Sequence, residues 1–195
     1  VRGTALNLGV VGKISFVRRG LETSFSDPWI FGTPVRTDLN LMIEHKSEPG
    51  YDLAQVGGRI TLGRKFRYNN LTVTYRHEQA TLSNVKGTDI PDDLKSNARS
   101  LKLSLSHDTR DNLFNSTRGL FVEASTEFGA YLTGKTSRFY RLSSTGRYFL
   151  PIGQRTVLAT SAEVSVIDAR GGLGNIPLYD RLYTGGPNSL RGFAY

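Results

Sequence analysis

The residues best equipped for chemistry are few, and they are badly placed for it. The three histidines, His45, His77 and His107, fall near the ends of three separate strand-like segments. They lack the short, regular spacing that marks a set of metal ligands. Solvated or interfacial imidazole is the expectation. Glu123 and Glu127 share one face of a strand, and a carboxylate pair could perform acid–base chemistry. Lys102, Arg141 and Arg147 fall on matching positions, however, which points to a charge-mixed polar interior. None of the many serines sits in a nucleophile-elbow context, and GRITLGRK (58–65) lacks the spacing of a phosphate loop. Without cysteine there is neither a thiolate metal site nor a disulfide framework. The expectation is a protein that is not an enzyme and carries no metal or cofactor.

The elements that must position these residues repeat with period two. Val35, Thr37, Leu39, Leu41 and Ile43 alternate with Arg36, Asp38, Asn40, Met42 and Glu44. Leu101, Leu103 and Leu105 alternate with Lys102, Ser104 and Ser106, and Leu120, Val122, Ala124 and Phe128 with Phe121, Glu123, Ser125 and Glu127. Such alternation gives a strand one apolar and one polar face. No segment keeps a helical period. The pattern predicts nine strands, at 4–15, 18–30, 34–46, 51–66, 69–82, 98–110, 118–130, 136–150 and 155–168. Many exceed the usual length of soluble strands, about 5 or 6 residues, and reach the 9 to 11 that cross a bilayer when tilted.

Composition narrows the class. The 195 residues have a mean hydropathy of −0.31 and no apolar run of the roughly 18 residues that a membrane helix needs. A membrane β-barrel remains open, because its strands alternate. The net charge of +8 comes from scattered basic residues rather than a dense patch, so nucleic acid is not an expected partner. Short turns at 31–33, 67–68, 112–117 and 151–154 are expected to alternate with longer loops. Trp29, Phe31, Phe66, Tyr68, Phe114, Tyr148 and Phe149 cluster at those turns, as in an interfacial aromatic girdle. A soluble antiparallel sandwich with one wet face shares the alternation but not the strand length and aromatic turns.

Three stretches are not accounted for by alternation. FSDPWIFGTP (25–34) holds Asp27, Pro28, Trp29 and Gly32 in a turn. HDTRDNLFNSTRGLFVE (107–123) frames another turn with Asp108, Arg110, Asp111, Arg118 and Gly119. YTGGPNSLRGF (183–193) contains Gly185, Gly186, Arg191, Gly192 and Phe193. In this order and spacing they resemble the barrel of the bacterial outer-membrane assembly-factor superfamily, the BamA-like insertases. The third stretch is the most specific. Departures are small: Asn115 and Ser116 stand where a proline is common, and Leu190 replaces a frequent valine.

The resemblance implies an all-β, antiparallel transmembrane barrel, with about nine of sixteen strands present. Residues 1–195 would form a partial barrel domain ending in a lumen loop, 168–195, with periplasmic POTRA domains and the remaining strands outside the chain. It implies a location in the bacterial outer membrane. The implied function is insertion of other barrel proteins, with unfolded outer-membrane proteins, the lipid bilayer and accessory assembly lipoproteins as partners. In the family, the arginine matching Arg191 pairs with an acid on a later strand and locks the loop. Balancing Glu123 or Glu127 is the alternative role. A secretion pore of the same superfamily, a passive channel and a soluble β-sheet binding protein are the competing functions.

Overall fold

Nine antiparallel strands pair strictly in chain order to form one sheet, which is not closed among the described residues. The structure is a computed structural model and describes residues 6–48, 50–86, 94–132, 136–153 and 155–182. The strands are β1 (Asn7–Ile14), β2 (Arg18–Asp27), β3 (Arg36–Glu48), β4 (Tyr51–Phe66), β5 (Asn69–Ser83), β6 (Lys95–Asp108), β7 (Gly119–Tyr131), β8 (Ser137–Pro151) and β9 (Val157–Ala169). From β3 onward they run 13 to 16 residues. The predicted number and order hold.

The register carries the alternation across the whole sheet. Leu41 lies opposite Gly58, Leu103 opposite Val73 and Thr126, and Leu105 opposite Leu71 and Ala124. Leu39, Leu41, Leu101, Leu103 and Leu105 are all exposed on this apolar face. Lys102, Glu123, Glu127, Arg141 and Arg147 fall on the other, polar face. Buried apolar groups lie on that polar face, because the segment after β9 folds back across it. Ile176, 1% exposed, joins Ala98, Tyr131, Phe139, Ile167 and Ala169 in one cluster. Leu178 and Tyr179 pack on a second one, built from Leu53, Ala80 and Leu82.

Several boundaries differ from the sequence reading. The predicted alternation of short and long connections does not hold. The strand predicted to end at 46 runs on through Ser47 to Glu48, paired with Asp52 and Tyr51 of β4. Conversely, 109–118 is longer than the turn predicted there: the Thr109 and Asp111 N–H groups donate to the Leu120 and Arg118 carbonyls, and the Asp111 side chain closes the rest. β6 starts at Lys95 and β9 ends at Ala169. His77 is not near a strand end but in the middle of β5. Six of the seven predicted girdle aromatics are exposed, all at the end of the sheet formed by 28–35, 67–68, 109–118 and 152–156. Phe149 instead has the polar-face parity, opposite Gly119 and Ala159, and is half-buried.

Candidate functional site

Polar side chains converge on one guanidinium in the middle of the polar face. Arg76 of β5 reaches Glu78 Oε2 at 3.3 Å, Glu127 Oε1 at 3.0 Å and Asp180 Oδ2 at 3.2 Å. Its Nε donates to Ser100 Oγ at 3.0 Å, and Ser100 in turn donates to Glu127 at 2.6 Å. Arg141 of β8 closes the far side, contacting Glu127 Oε2 at 3.2 Å and Asp180 Oδ1 at 2.6 Å. It also donates to the Asp180 carbonyl at 2.8 Å. Arg59 of β4 caps Glu78 at 2.5 Å, and Gln55 donates to the same carboxylate. Three carboxylates thus meet three guanidiniums, so the buried charges compensate one another.

Glycines make the arrangement possible. A Cβ at Gly57 would stand 2.6 Å from Glu78 Cγ and 2.8 Å from the His77 carbonyl. Its absence lets Glu78 lie flat across β4, where it is 1% exposed. A Cβ at Gly129 would meet the Phe139 ring at 2.6 Å. Phe139 therefore lies down on Tyr131, with ring centroids 4.6 Å apart and planes 16° from parallel. That stack aims the Tyr131 hydroxyl at Asp180 Oδ2, to which it donates at 2.7 Å.

Asp180 is the only member of the cluster that does not come from the sheet. It sits in a 3-10 turn, Leu178–Asp180, beyond β9. Burial alone would raise its carboxyl, but Arg76, Arg141 and the Tyr131 hydroxyl outweigh burial and hold it below the usual range. Beside it, burial pushes the Tyr179 phenol up to about 12, and its hydroxyl shares a short hydrogen bond with Ser96. Each carboxylate contacts a guanidinium directly, so the cluster is built to hold chain segments together. Among the described residues no group of His, Asp or Glu is gathered that could hold a metal ion.

The predicted site residues divide into three sets. Asp27, Pro28, Trp29 and Gly32 form one turn. The Trp29 N–H donates to Asp27 Oδ1 at 2.9 Å, and Phe31 and Gly32 take φ of 50° and 73°. Asp108, Arg110, Asp111, Arg118 and Gly119 form a second. Arg110 binds Asp108 through two nitrogens, at 2.9 and 2.7 Å, and lies over the Phe121 ring at 4.9 Å. Asp111 accepts the Thr117 hydroxyl and the N–H groups of Thr117, Arg118 and Asn112, which hold its carboxyl well below the usual range. Gly119 has φ 110°, and a Cβ there would stand 2.5 Å from the Thr109 carbonyl. The two turns meet: Pro28, Trp29, Asp108, Arg110 and Phe121 line one cavity of about 910 Å³. The third set, Gly185, Gly186, Arg191, Gly192 and Phe193, lies outside the described residues.

Glu127 and Arg141 are where the charge-mixed interior requires them. Lys102 is directly opposite Glu127 in register, but Arg76 and Arg141 take the carboxylate. Glu123 lies apart from the cluster, opposite Ser106 and Thr145. Arg76, Glu78, Tyr131 and Asp180 are not found by sequence reading. The available signals are the glycines inside β4 and β7, which mark close approach, and Asp180, the only acid after Asp168.

The comparisons agree with this architecture. The crystal structure of BamA from Haemophilus ducreyi lacking POTRA domains 1-3 superposes with a TM-score of 0.79 at 20% identity, over 96% of this chain. This chain spans 40% of the length of the crystallised chain. The likeness is one of fold: an open nine-stranded sheet matching part of a barrel. The profile of the Omp85 superfamily domain matches residues 1–195. The chain belongs to the Omp85 superfamily, whose members are typically non-enzymatic transporters and assembly factors.

Proposed function

We propose that this chain supplies nine strands and the start of the lumen loop of an outer-membrane protein assembly factor, which folds and inserts other β-barrels. The observation that carries the reading is the Asp180 clamp. Buried ion pairs and the Ile176 cluster hold 170–182 across the polar face, leading into the glycine- and arginine-bearing stretch that the resemblance assigns to the lumen. An apolar face of exposed leucines backed by a continuous hydrogen-bonded ladder is the kind of surface a bilayer admits. In this reading the apolar face meets lipid, and unfolded outer-membrane proteins and accessory lipoproteins are partners of the whole protein.

Insertion needs no bond chemistry. An incoming strand must keep its backbone hydrogen bonds satisfied while it enters lipid, and pairing with an existing strand edge does this. The wall described here contributes rigidity: nine strands in unbroken register, braced from the polar side.

The test is reconstitution of the full-length protein in liposomes with a urea-unfolded outer-membrane barrel as substrate. Faster acquisition of a heat-modifiable, protease-resistant substrate supports the insertase. No acceleration, together with passage of a soluble partner protein into the liposomes, would assign it to the secretion pores of the superfamily instead.

A further inference from the structure

On the apolar face the change from apolar to polar side chains is abrupt. Leu71, Val73 and Tyr75 give way to His77 on β5, and Leu105, Leu103 and Leu101 give way to Arg99 on β6. Arg138 follows Tyr140 and Leu142 on β8. These side chains share a transverse row. His77 is opposite Arg99, Arg99 opposite Ala130, and Ala130 opposite Arg138. The Arg170 N–H then donates to the Arg138 carbonyl at 2.8 Å. Arg99, Arg138 and Arg170 are exposed. None forms an ion pair among the described residues, whereas every guanidinium of the polar-face cluster does. Arg99 is oriented by its Nε donating to His77 Nδ1 at 3.2 Å.

A groove leads to this row. It has a volume of about 540 Å³ and is lined by Leu21, Leu41, Ile43, Val56, Gly58 and His77, among others. Gly58 keeps it open: a Cβ there would stand 2.9 Å from Leu41 Cδ2. An apolar trough therefore ends at an imidazole that holds an exposed guanidinium.

We infer that this is a binding site for a lipid bearing an anionic phosphate headgroup, with one acyl chain in the groove over Gly58 and the headgroup on Arg99. Arg138 and Arg170 extend the cationic row along the same boundary. The inference rests on the reading that the apolar face meets lipid. A guanidinium offers phosphate a planar pair of donors, and a cation near a membrane surface favours anionic lipid. A zwitterionic headgroup would leave the row uncompensated.

The experiment uses the full-length protein in nanodiscs of phosphatidylcholine doped with phosphatidic acid. Retained lipid is counted by native mass spectrometry after delipidation. Phosphatidic acid should be retained about tenfold over phosphatidylcholine. Arg99→Gln and Gly58→Leu should each abolish the preference, with thermal unfolding in pure phosphatidylcholine confirming that both variants fold. Arg147→Gln, on the opposite face, should retain it. Equal retention of the two lipids, or a preference that survives both variants, overturns the site. So does competition by inorganic phosphate as effective as that by the lipid, or a dimer in phosphatidylcholine that covers this face. Quenching of the Leu103→Trp variant by brominated acyl chains reports lipid contact separately. Quenching without a headgroup preference defeats this inference alone; absent quenching defeats the reading beneath it.

Discussion

Arg76 and Asp180 lie 104 positions apart in the chain and 3.2 Å apart in space. The contact joins the fifth strand to the segment that follows the ninth, and it is buried on both sides. Removing Asp180 leaves three guanidiniums facing two carboxylates; loss of one partner of a buried pair costs about 3–5 kcal/mol, and Glu78 and Glu127, which still contact Arg76, hold the cost to the lower end of that range. Asp180→Ala in the full-length protein should therefore free 170–182 from the sheet while leaving the nine-strand ladder intact. Limited proteolysis should cut within that segment in the variant and not in the parent. Unchanged protection would assign the anchoring to Ile176 and its neighbours.

The same carboxylate sets a pH limit. Its folded value lies below the ordinary 3.8, so its contribution is fully present above 3.8 and is lost as pH falls through the lower folded value. Amide exchange in 170–182 should stay slow from neutral pH down to about 4, after correction for intrinsic rates, and accelerate only below it. Opening near pH 6 would mean that a histidine, not Asp180, controls the segment.

Tyr131→Phe separates packing from polarity. The ring would keep its stack on Phe139 but lose the hydroxyl that donates to Asp180 at 2.7 Å. A hydrogen bond to a charged group contributes about 1.5–3 kcal/mol, so the variant should fall between the parent and Asp180→Ala in thermal stability. A loss as large as that of Asp180→Ala would show that the hydroxyl, rather than the two guanidiniums, holds the carboxylate.

Strand number, order and facing are legible in the sequence because alternation is local: each residue reports its own side. Strand ends are less so. Ser47 and Glu48 are polar types beyond the predicted strand end, yet they are paired, since a ladder can extend through any residue that accepts extended geometry. The turn at 109–118 is legible as a turn, but its mechanism is not. Where a proline is common, the Ser116 hydroxyl instead donates to the Asn112 carbonyl at 2.6 Å. The clamp is illegible for a different reason. Arg76, Glu127 and Asp180 each read as ordinary polar residues, and only the register of five strands brings the first two within reach of the third.

The facing of Leu103 can be tested directly. It lies on the apolar face between Val73 and Thr126. Leu103→Arg in the full-length protein should cost about 2–4 kcal/mol if it lies near the bilayer midplane, read as a shift in urea-induced unfolding from liposomes. Cysteine at 103 should react with a lipid-phase reagent and cysteine at 102 with an aqueous one. The reverse pattern would mean a register slipped by one residue.

Arg191 supplies the last prediction. In the proposed reading its guanidinium seeks a carboxylate on a strand beyond this chain, and the alternative partners are Glu123 and Glu127. Glu127 is already contacted by Arg76 and Arg141, whereas Glu123 has no ion pair among the described residues. If the partner lies beyond the chain, Arg191→Ala should impair assembly of other barrel proteins, and its effect should add to those of Glu123→Ala and Glu127→Ala. Independent sites add within about 0.3–0.5 kcal/mol, while members of one network couple by 0.5–3 kcal/mol. Arg191→Lys should rescue only in part, since an ammonium cannot reproduce a two-point fork. Arg170→Ala should be mild, because Arg170 is exposed. A double-mutant cycle on urea unfolding measures each coupling. Strong coupling to Glu123 would reassign Arg191 to charge balance within this wall, and full rescue by lysine would leave it as a simple cation rather than a lock.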